Sequence, residues 1–262
     1  MPYKMLVDVT RCIGCQGCQV SCKNWNDKKA DRTTLGETLA NPRDVNSSNF
    51  TVVKFSEKSG PKDMEWHFTK RQCMHCATPA CVAACPCSAL TKSALGPVEY
   101  NRSFCIGCRY CTLACPFEVP AFDWDKAIPS IQKCTFCAGR IKNGMEPACS
   151  KSCPSGALTF GKDEDIVRLA KSRIAAKPGR YVDYIYGTDE AGGTSWLYIS
   201  DTDFKNLGFR DDLEKTSYGT YSLNAVSKAP LVGIGAAALM AGFFFLAGRK
   251  EKNRAAGRED GK

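Results

Sequence analysis

Cysteine is the feature that most constrains this chain, because 17 of its 262 residues are cysteine. Sixteen of them fall into four groups of four, and each group ends in a pair of cysteines four positions apart. Such closely spaced thiols indicate a disulfide scaffold, zinc sites or iron–sulfur clusters. The groups are Cys12, Cys15, Cys18 and Cys22; Cys73, Cys76, Cys81 and Cys85; Cys105, Cys108, Cys111 and Cys115; and Cys134, Cys137, Cys149 and Cys153.

The spacing favours iron–sulfur clusters over the other two possibilities. Disulfide scaffolds are typical of short secreted chains, and zinc sites commonly join two separated pairs and often use histidine, of which this chain has 2. The first and third groups have the spacing of bacterial ferredoxins, in which the last cysteine binds the neighbouring cluster. We therefore predict four 4Fe–4S clusters. Cys87 fits no group, and we expect a small buried thiol there.

The formal net charge of +9 is itself typical of nucleic-acid-binding proteins. Four oxidised 4Fe–4S clusters with their thiolates would add roughly −8, however, and no RNA- or DNA-binding motif is present. We therefore predict that the chain does not bind nucleic acid. Because it also lacks a Gly-rich phosphate loop and a pterin- or flavin-binding motif, we predict a non-catalytic subunit that conducts electrons for a partner.

An internal repeat indicates duplicated modules. The segments 85–90 and 153–158 both read Cys-Pro-x-x-Ala-Leu, and such self-similarity is typical of stacked copies of one unit. We predict an α+β fold, with a double, pseudo-two-fold, bacterial ferredoxin-like domain over residues 1–160. A polar insertion at 23–72 interrupts it and carries an alternating strand at 50–55.

The rest of the chain is predicted to form an extension, a span and a tail. Residues 161–228 are expected to pack on partner subunits through a helix at 163–177 and a strand at 192–200. Residues 229–248 carry no charge over 20 positions, which is the length of a transmembrane helix; a buried core helix is the alternative. The tail at 249–262 is basic.

The basic tail predicts the orientation of the protein in the inner membrane. The positive-inside rule places the tail in the cytoplasm and the cluster domain on the outer, periplasmic side. The first ten residues lack the features of a signal peptide and contain no twin-arginine pair. The basic residues of the tail are Arg249, Lys250, Lys252, Arg254, Arg258 and Lys262.

The pairing of the groups has two solutions. Because the last cysteine of a group binds the neighbouring cluster, the groups must work in twos. A nested arrangement pairs the first group with the fourth and the second with the third. A sequential arrangement pairs the first with the second and the third with the fourth. Spacing alone leaves both open.

Several segments, including residues that are not candidate ligands, resemble the iron–sulfur (beta) subunit of membrane-bound formate dehydrogenases, one of the four-cluster ferredoxin-type subunits of molybdopterin oxidoreductases. The resemblance extends from about residue 5 to the C-terminal span. It is carried by the segments 12–27, 72–76, 105–111, 133–137, 146–149 and 192–194.

The resemblance implies nested pairing, because pairing is nested in that family. It assigns Cys12, Cys15, Cys18 and Cys153 to set A; Cys22, Cys134, Cys137 and Cys149 to set B; Cys73, Cys76, Cys81 and Cys115 to set C; and Cys85, Cys105, Cys108 and Cys111 to set D. Every ligand position is cysteine, so no 3Fe–4S site is expected.

The resemblance also implies partners. The donor would be the molybdopterin catalytic (alpha) subunit of a molybdenum or tungsten formate dehydrogenase, and the acceptor a membrane b-type cytochrome (gamma) subunit that reduces quinone. One alternative is the iron–sulfur subunit of a membrane hydrogenase or of another molybdopterin oxidoreductase. A regulatory cluster sensor is an alternative from a different class.

Overall fold

The computed structural model describes residues 2–31, 33, 38–59, 64–124 and 126–259. The chain forms two compact units, one ending at Thr220 and the other beginning at Tyr221. The strands are β1 Tyr3–Asp8, β2 Thr51–Ser59, β3 Met64–Gln72, β4 Leu90–Lys92, β5 Val98–Tyr100, β6 Ala121–Phe122, β7 Ile131–Gln132, β8 Leu158–Lys162 and β9 Trp196–Ile199. The helices are α1 Gly17–Trp25, α2 Ala80–Ala83, α3 Tyr110–Leu113, α4 Ala138–Lys142, α5 Ala148–Lys151, α6 Asp163–Ala176 and α7 Tyr218–Glu259.

The central sheet is built around β1, with β8 antiparallel on one side and β9 parallel on the other. Met5 and Val7 are buried on the face that packs beside the cysteine loops. Leu6 points to the opposite face, where it packs against α6 through Ile166 and Ala170. Because successive side chains of a strand point to opposite faces, both faces of β1 are buried in a core.

Asp8 is fully buried at the end of β1, and its charge is compensated there. Its carboxylate lies 3.0 Å from Arg173 Nη1 of α6 and accepts hydrogen bonds from the hydroxyls of Thr10 at 2.7 Å and Tyr181 at 3.2 Å. A buried carboxylate requires such partners. This network ties the first strand to the segment that follows the last cysteine group.

One structural unit recurs around the cysteines. The helices α1, α2, α3 and α5 each carry the third cysteine of a group, and the fourth follows one helical turn later. After each Cys-Pro dipeptide the chain turns through a left-handed residue, Ser88, Glu118 or Gly156, whose N–H donates to the cysteine carbonyl at 3.1–3.4 Å. The turns lead into β4, β6 and β8, so the repeat in the sequence corresponds to a repeat in structure.

Three elements predicted from the sequence are confirmed. The strand expected at 50–55 is β2, which forms a hairpin with β3, the helix expected at 163–177 is α6, and the strand expected at 192–200 contains β9. The first turn of α6 is acidic, which stabilises a helix N-terminus. The predicted boundary at residue 160 falls within β8, and the division of the chain into four parts stays a prediction.

The C-terminal unit is helical. Helix α7 contains the whole predicted span, and its stretch Tyr218–Arg249 is long and apolar enough to cross a membrane, with a mean hydropathy of 2.1 over its most apolar 18 residues. Large apolar side chains along it, such as Leu231 and Phe244, are exposed at 72% and 84%. Beyond Arg249 the predicted tail lies outside the residues whose side chains the structure describes.

Candidate cluster-binding sites

The four cysteine loops share one backbone feature. In each loop the residue just before the second cysteine has a left-handed conformation: Gly14 with φ 67°, His75 with φ 49°, Gly107 with φ 74° and Phe136 with φ 52°. Left-handed residues turn successive N–H groups towards a concave, anion-binding side. Few non-glycine residues adopt this conformation, and it is a marked outlier for a bulky residue such as phenylalanine, so the surrounding structure must hold Phe136 there.

The loops of the second and fourth cysteine groups meet through His75 and Phe136. The rings of His75 and Phe136 stack, with 5.1 Å between centroids and 26° between planes. His75 Nδ1 accepts a hydrogen bond of 2.8 Å from the Val98 N–H, so the ring proton is on Nε2. Burial, followed by the charges of Lys133, Lys92 and Lys70, holds the pKa of His75 well below its usual value. The histidine is therefore neutral.

The structure brings the first cysteine group to the fourth. Burial raises the pKa of Cys18 to about 12, and repulsion from the thiolates of Cys149, Cys12 and Cys153 contributes to the increase. Burial likewise raises the pKa of Cys22 to about 12, with contributions from Cys149 and from Cys137. Such repulsion requires short separations. Cys149 also packs in one core cluster with the partly buried Cys18 and Cys153, so cysteines of the first and fourth groups lie together; nested pairing itself stays a prediction.

The second group meets the third in the same way. Burial raises the pKa of Cys81 to about 12, and the thiolates of Cys73, Cys115 and Cys111 add to the increase. Burial also raises the pKa of Cys111 to about 11, with repulsion from Cys108, Cys85 and Cys105. Coordination of a cluster by each set stays a prediction.

The cysteines that lie next to one another define a spatial order of the four sets. Cys18 of set A packs in one core cluster with Cys149 of set B, Cys134 of set B packs with Cys73 of set C, and Cys81 of set C packs with Cys111 of set D. The set B cysteines are all buried, whereas set A includes the exposed Cys15 and set D the exposed Cys108. The order A–B–C–D therefore runs from one exposed set through the interior to another.

The residues fit cubane clusters. Backbone N–H groups donate to thiol sulfurs, from Ala89 to Cys85 Sγ at 3.2 Å and from Phe136 to Cys134 Sγ at 3.3 Å, and such bonds stabilise thiolates. Among the described residues, no three Cys, His, Asp or Glu side chains converge on one metal ion.

Cys87 is not the fully buried thiol that we expected. It is partly exposed and lines a small cavity together with the four cysteines of set D. The expectation was wrong because the Cys-Pro turn leaves this residue at the rim of the loop rather than in the core. Its position after Cys85-Pro86 could have indicated that proximity.

Three lysines near the cysteine loops were missed by the sequence reasoning: Lys70 and Lys133 are buried, and Lys92 is partly buried. Lys70, Lys92 and Lys133 have side chains that reach in among the cysteine loops. Lys92 Nζ donates to the carbonyls of Gly96 at 2.6 Å and His75 at 2.8 Å, and Lys133 Nζ donates to the carbonyl of Val98 at 2.6 Å. Burial lowers the pKa of Lys92 to about 8. Nothing in a single sequence marks such lysines as buried.

Residues 64–163 match the model of the 4Fe-4S dicluster domain family. Together with the cysteine geometry, this match defines the chain as a ferredoxin-type electron-transfer protein that binds multiple 4Fe–4S clusters. A protein of Nitratidesulfovibrio vulgaris (strain Hildenborough) is 41% identical over 253 residues, 95% of this chain and 68% of the relative. The hydrogenase-2 operon protein HybA of Escherichia coli O157:H7 is 33% identical over 283 residues, 95% of this chain and 85% of HybA.

The nitrate-inducible formate dehydrogenase iron–sulfur subunit of Escherichia coli K12 is 39% identical over 197 residues, 74% of this chain and 66% of that subunit. The chain therefore belongs to the family of iron–sulfur subunits that includes those of formate dehydrogenases. It spans just under two thirds of the length of the Escherichia coli formate dehydrogenase subunit.

Proposed function

We propose that this chain conducts electrons from the molybdopterin catalytic subunit of a formate dehydrogenase to a membrane b-type cytochrome. The observation that carries the proposal is the order of the cysteine sets, from the exposed Cys15 of set A to the exposed Cys108 of set D. A conductor between two partners needs an accessible centre at each end and insulated centres between them. The named formate dehydrogenase relatives support formate as the source of electrons.

Each set is proposed to hold one 4Fe–4S cluster in a double ferredoxin-like domain. Bound there, the clusters supply one-electron redox centres. The cysteines anchor them, and the loop amides donate to their sulfurs. Apolar residues such as Val119 and Phe50, which pack with Cys22, Cys73 and Cys134, exclude water between sets B and C. The chain itself is proposed to be non-catalytic, with the chemistry carried out by the partner.

The C-terminal helix is proposed to anchor the complex. The length and apolar composition of Tyr218–Arg249 support a single membrane span, and the basic residues from Arg249 onward support a cytoplasmic C-terminus with the clusters on the periplasmic side. In this arrangement the helix holds the last cluster close to the haem of the cytochrome subunit. The molybdenum or tungsten of the catalytic subunit lies at the other end of the path.

The first experiment measures cofactor content. Protein purified without oxygen should contain about four irons per set and an equal amount of acid-labile sulfide. Stoichiometric zinc without sulfide would refute the cluster assignment. Formate should then reduce the clusters in the native complex. Reduction by hydrogen but not by formate would favour the second candidate, a hydrogenase subunit, for which the similarity to HybA is the supporting observation.

A second experiment tests the ligand sets with a matched pair of variants. Cys153→Ser should alter the paramagnetic signal of the cluster in set A, and Cys115→Ser should alter that of set C. Both cysteines follow a short helix by the same spacing, so the two substitutions perturb equivalent positions. A changed set C or D signal in Cys153→Ser would contradict nested pairing.

A third experiment tests the anchor. A chain ending before Lys228 retains every cysteine and should form a complex that still transfers electrons from formate to an artificial dye. Its transfer to quinone should fall sharply, because the last cluster is no longer held beside the membrane partner. Undiminished quinone reduction would exclude the anchor from the mechanism.

A further inference from the structure

Lys70 carries a positive charge into the interior of the cluster domain. Its side chain is on β3 and the residue is only 2% exposed. The ammonium group donates to the neutral Gln72 Oε1 at 2.9 Å and lies 4.4 Å from the centre of the Trp196 ring. Within the part of the chain that the structure describes, Lys70 forms no salt bridge with a carboxylate.

A buried ammonium ion without a counter-charge is strongly destabilising, and contact with an aromatic ring offsets only part of that cost. The available anions are the thiolates of the cysteine loops. Burial acts to lower the pKa of Lys70, but the thiolates of Cys149, Cys18 and Cys134 outweigh it and raise the pKa above its ordinary value. The lysine therefore stays charged, and cysteines from two sets balance its charge.

We propose that Lys70 is a positioning residue for electron transfer that raises the reduction potentials of the clusters in sets A and B together. This inference rests on the proposed ligand sets. Adding one electron to a cluster adds one negative charge, which a nearby fixed positive charge stabilises. No proton has to move, because the ammonium group is charged in both states.

The position of Lys70 explains why two sets respond to one charge. The Trp196 ring under the Lys70 ammonium group packs in one core cluster with Cys149 of set B and, at its margin, Cys18 of set A, and the charge of Lys70 lowers the pKa of both cysteines. A shared charge raises both potentials together, so it leaves the difference between A and B unchanged while making both clusters easier to reduce. Lys92 acts instead on cysteines of set C, namely Cys76, Cys73 and Cys81. Lys92 is only partly buried, and it serves as a control that acts on a different set.

The test is a redox titration of the purified, cluster-loaded protein with dithionite, followed by electron paramagnetic resonance. Signals are assigned to sets with the Cys153→Ser and Cys115→Ser variants. In Lys70→Met, the ratio of reduced to oxidised cluster in sets A and B, at fixed ambient potential, should fall about tenfold. For a one-electron step this corresponds to a reduction potential lower by about 59 mV. In Lys92→Met the fall should be confined to set C. Lys70→Arg keeps the charge and should remain close to the wild type.

Gln72→Glu tests the same inference without removing the lysine. It places a carboxylate beside the ammonium group, at the position of an amide oxygen now 2.9 Å away, and should lower the potentials of sets A and B by cancelling the charge. If Lys70→Met fails to retain its clusters, Gln72→Glu still tests whether the charge of Lys70 sets the potentials.

Unchanged potentials in sets A and B, in a variant with full iron content, would overturn the inference. So would equal shifts in all four sets, or a fall in Lys70→Arg as large as that in Lys70→Met. A wild-type protein without the expected iron and sulfide would instead overturn the proposed ligand sets on which the inference rests. Iron content therefore separates the two failures.

Discussion

Gly14 and Gly107 provide a matched test of how tightly a cluster loop is held. Both stand in the same sequence, Cys-Ile-Gly-Cys, and both are left-handed, with φ 67° and 74°. Their surroundings differ. A Cβ added at Gly14 would lie 2.8 Å from Cδ1 of Phe68, whereas one added at Gly107 would meet no atom within 4 Å.

The expected costs follow from these surroundings. Alanine in a left-handed conformation costs about 1–2 kcal/mol, which applies to both variants. Gly14→Ala also forces a contact far below the usual 3.5–4.0 Å between carbons, and such overpacking costs about 1–3 kcal/mol more. Phe68 packs edge-on against Phe55 at 5.1 Å, which restricts its movement. Gly14→Ala should therefore cost about 2–5 kcal/mol and Gly107→Ala about 1–2 kcal/mol.

The assay is the rate at which cluster absorbance is lost in urea under anaerobic conditions. Each 1.4 kcal/mol corresponds to about a tenfold change in rate, so an overpacking cost of about 1–3 kcal/mol should make Gly14→Ala lose its clusters about 5-fold to 140-fold faster than Gly107→Ala. Adding Phe68→Ala to Gly14→Ala should recover the overpacking part, with Phe68→Ala alone as the reference for a double-mutant cycle. Equal rates in the two glycine variants, or no coupling to Phe68, would refute the packing argument.

Further expectations concern stability, ligation and metal removal. Asp8→Asn should lower the free energy of unfolding by about 3–5 kcal/mol, because it leaves Arg173 without its buried partner. Asp165→Asn disrupts an exposed pair and should lower it by only about 0–1 kcal/mol. Similar urea midpoints for the two variants would contradict the expected difference. Cys87→Ser should leave iron content unchanged, and the loss of one cluster would make Cys87 a ligand. Removing the clusters should leave the cysteine thiols protonated. Reconstitution with iron and sulfide should therefore release protons, which can be measured in unbuffered solution. The absence of proton release would contradict the raised pKa of Cys18 and Cys22.

Patterns local to the chain were predictable from the sequence. The cysteine spacing indicated the clusters, and hydrophobic periodicity indicated α6 and the strand that became β2. The role of β1 was not predictable, because a six-residue strand becomes central only through partners more than 150 positions away, β8 and β9. The burial of Asp8 depends equally on Arg173, which is distant in sequence.

The candidate cluster sites also contain both residues that local patterns predict and residues that they do not. The cysteines could be identified by type and spacing, but Lys70 belongs to a segment that reads as a polar insertion. Its burial results from Trp196, which β9 brings against it from far along the chain. The left-handed conformation of Phe136 was also beyond local patterns, since a bulky residue rarely adopts it. Long-range packing decides these features, and a single sequence does not reveal it.

The register of β1 with β8, in which Val7 pairs with Leu158, also restricts the order of events during synthesis. Translation proceeds at about 5–20 residues per second, so the first strand waits roughly 8–30 s for its partner. The hairpins β4–β5 and β6–β7, with the cysteine loops between them, emerge and can close within that interval. The middle of the chain can therefore mature first and serve as the nucleus on which its two ends later converge. A nascent chain stalled after residue 132 has left the ribosome but before residue 158 has done so should have a central module already protected from protease, while its first strand remains open to cleavage.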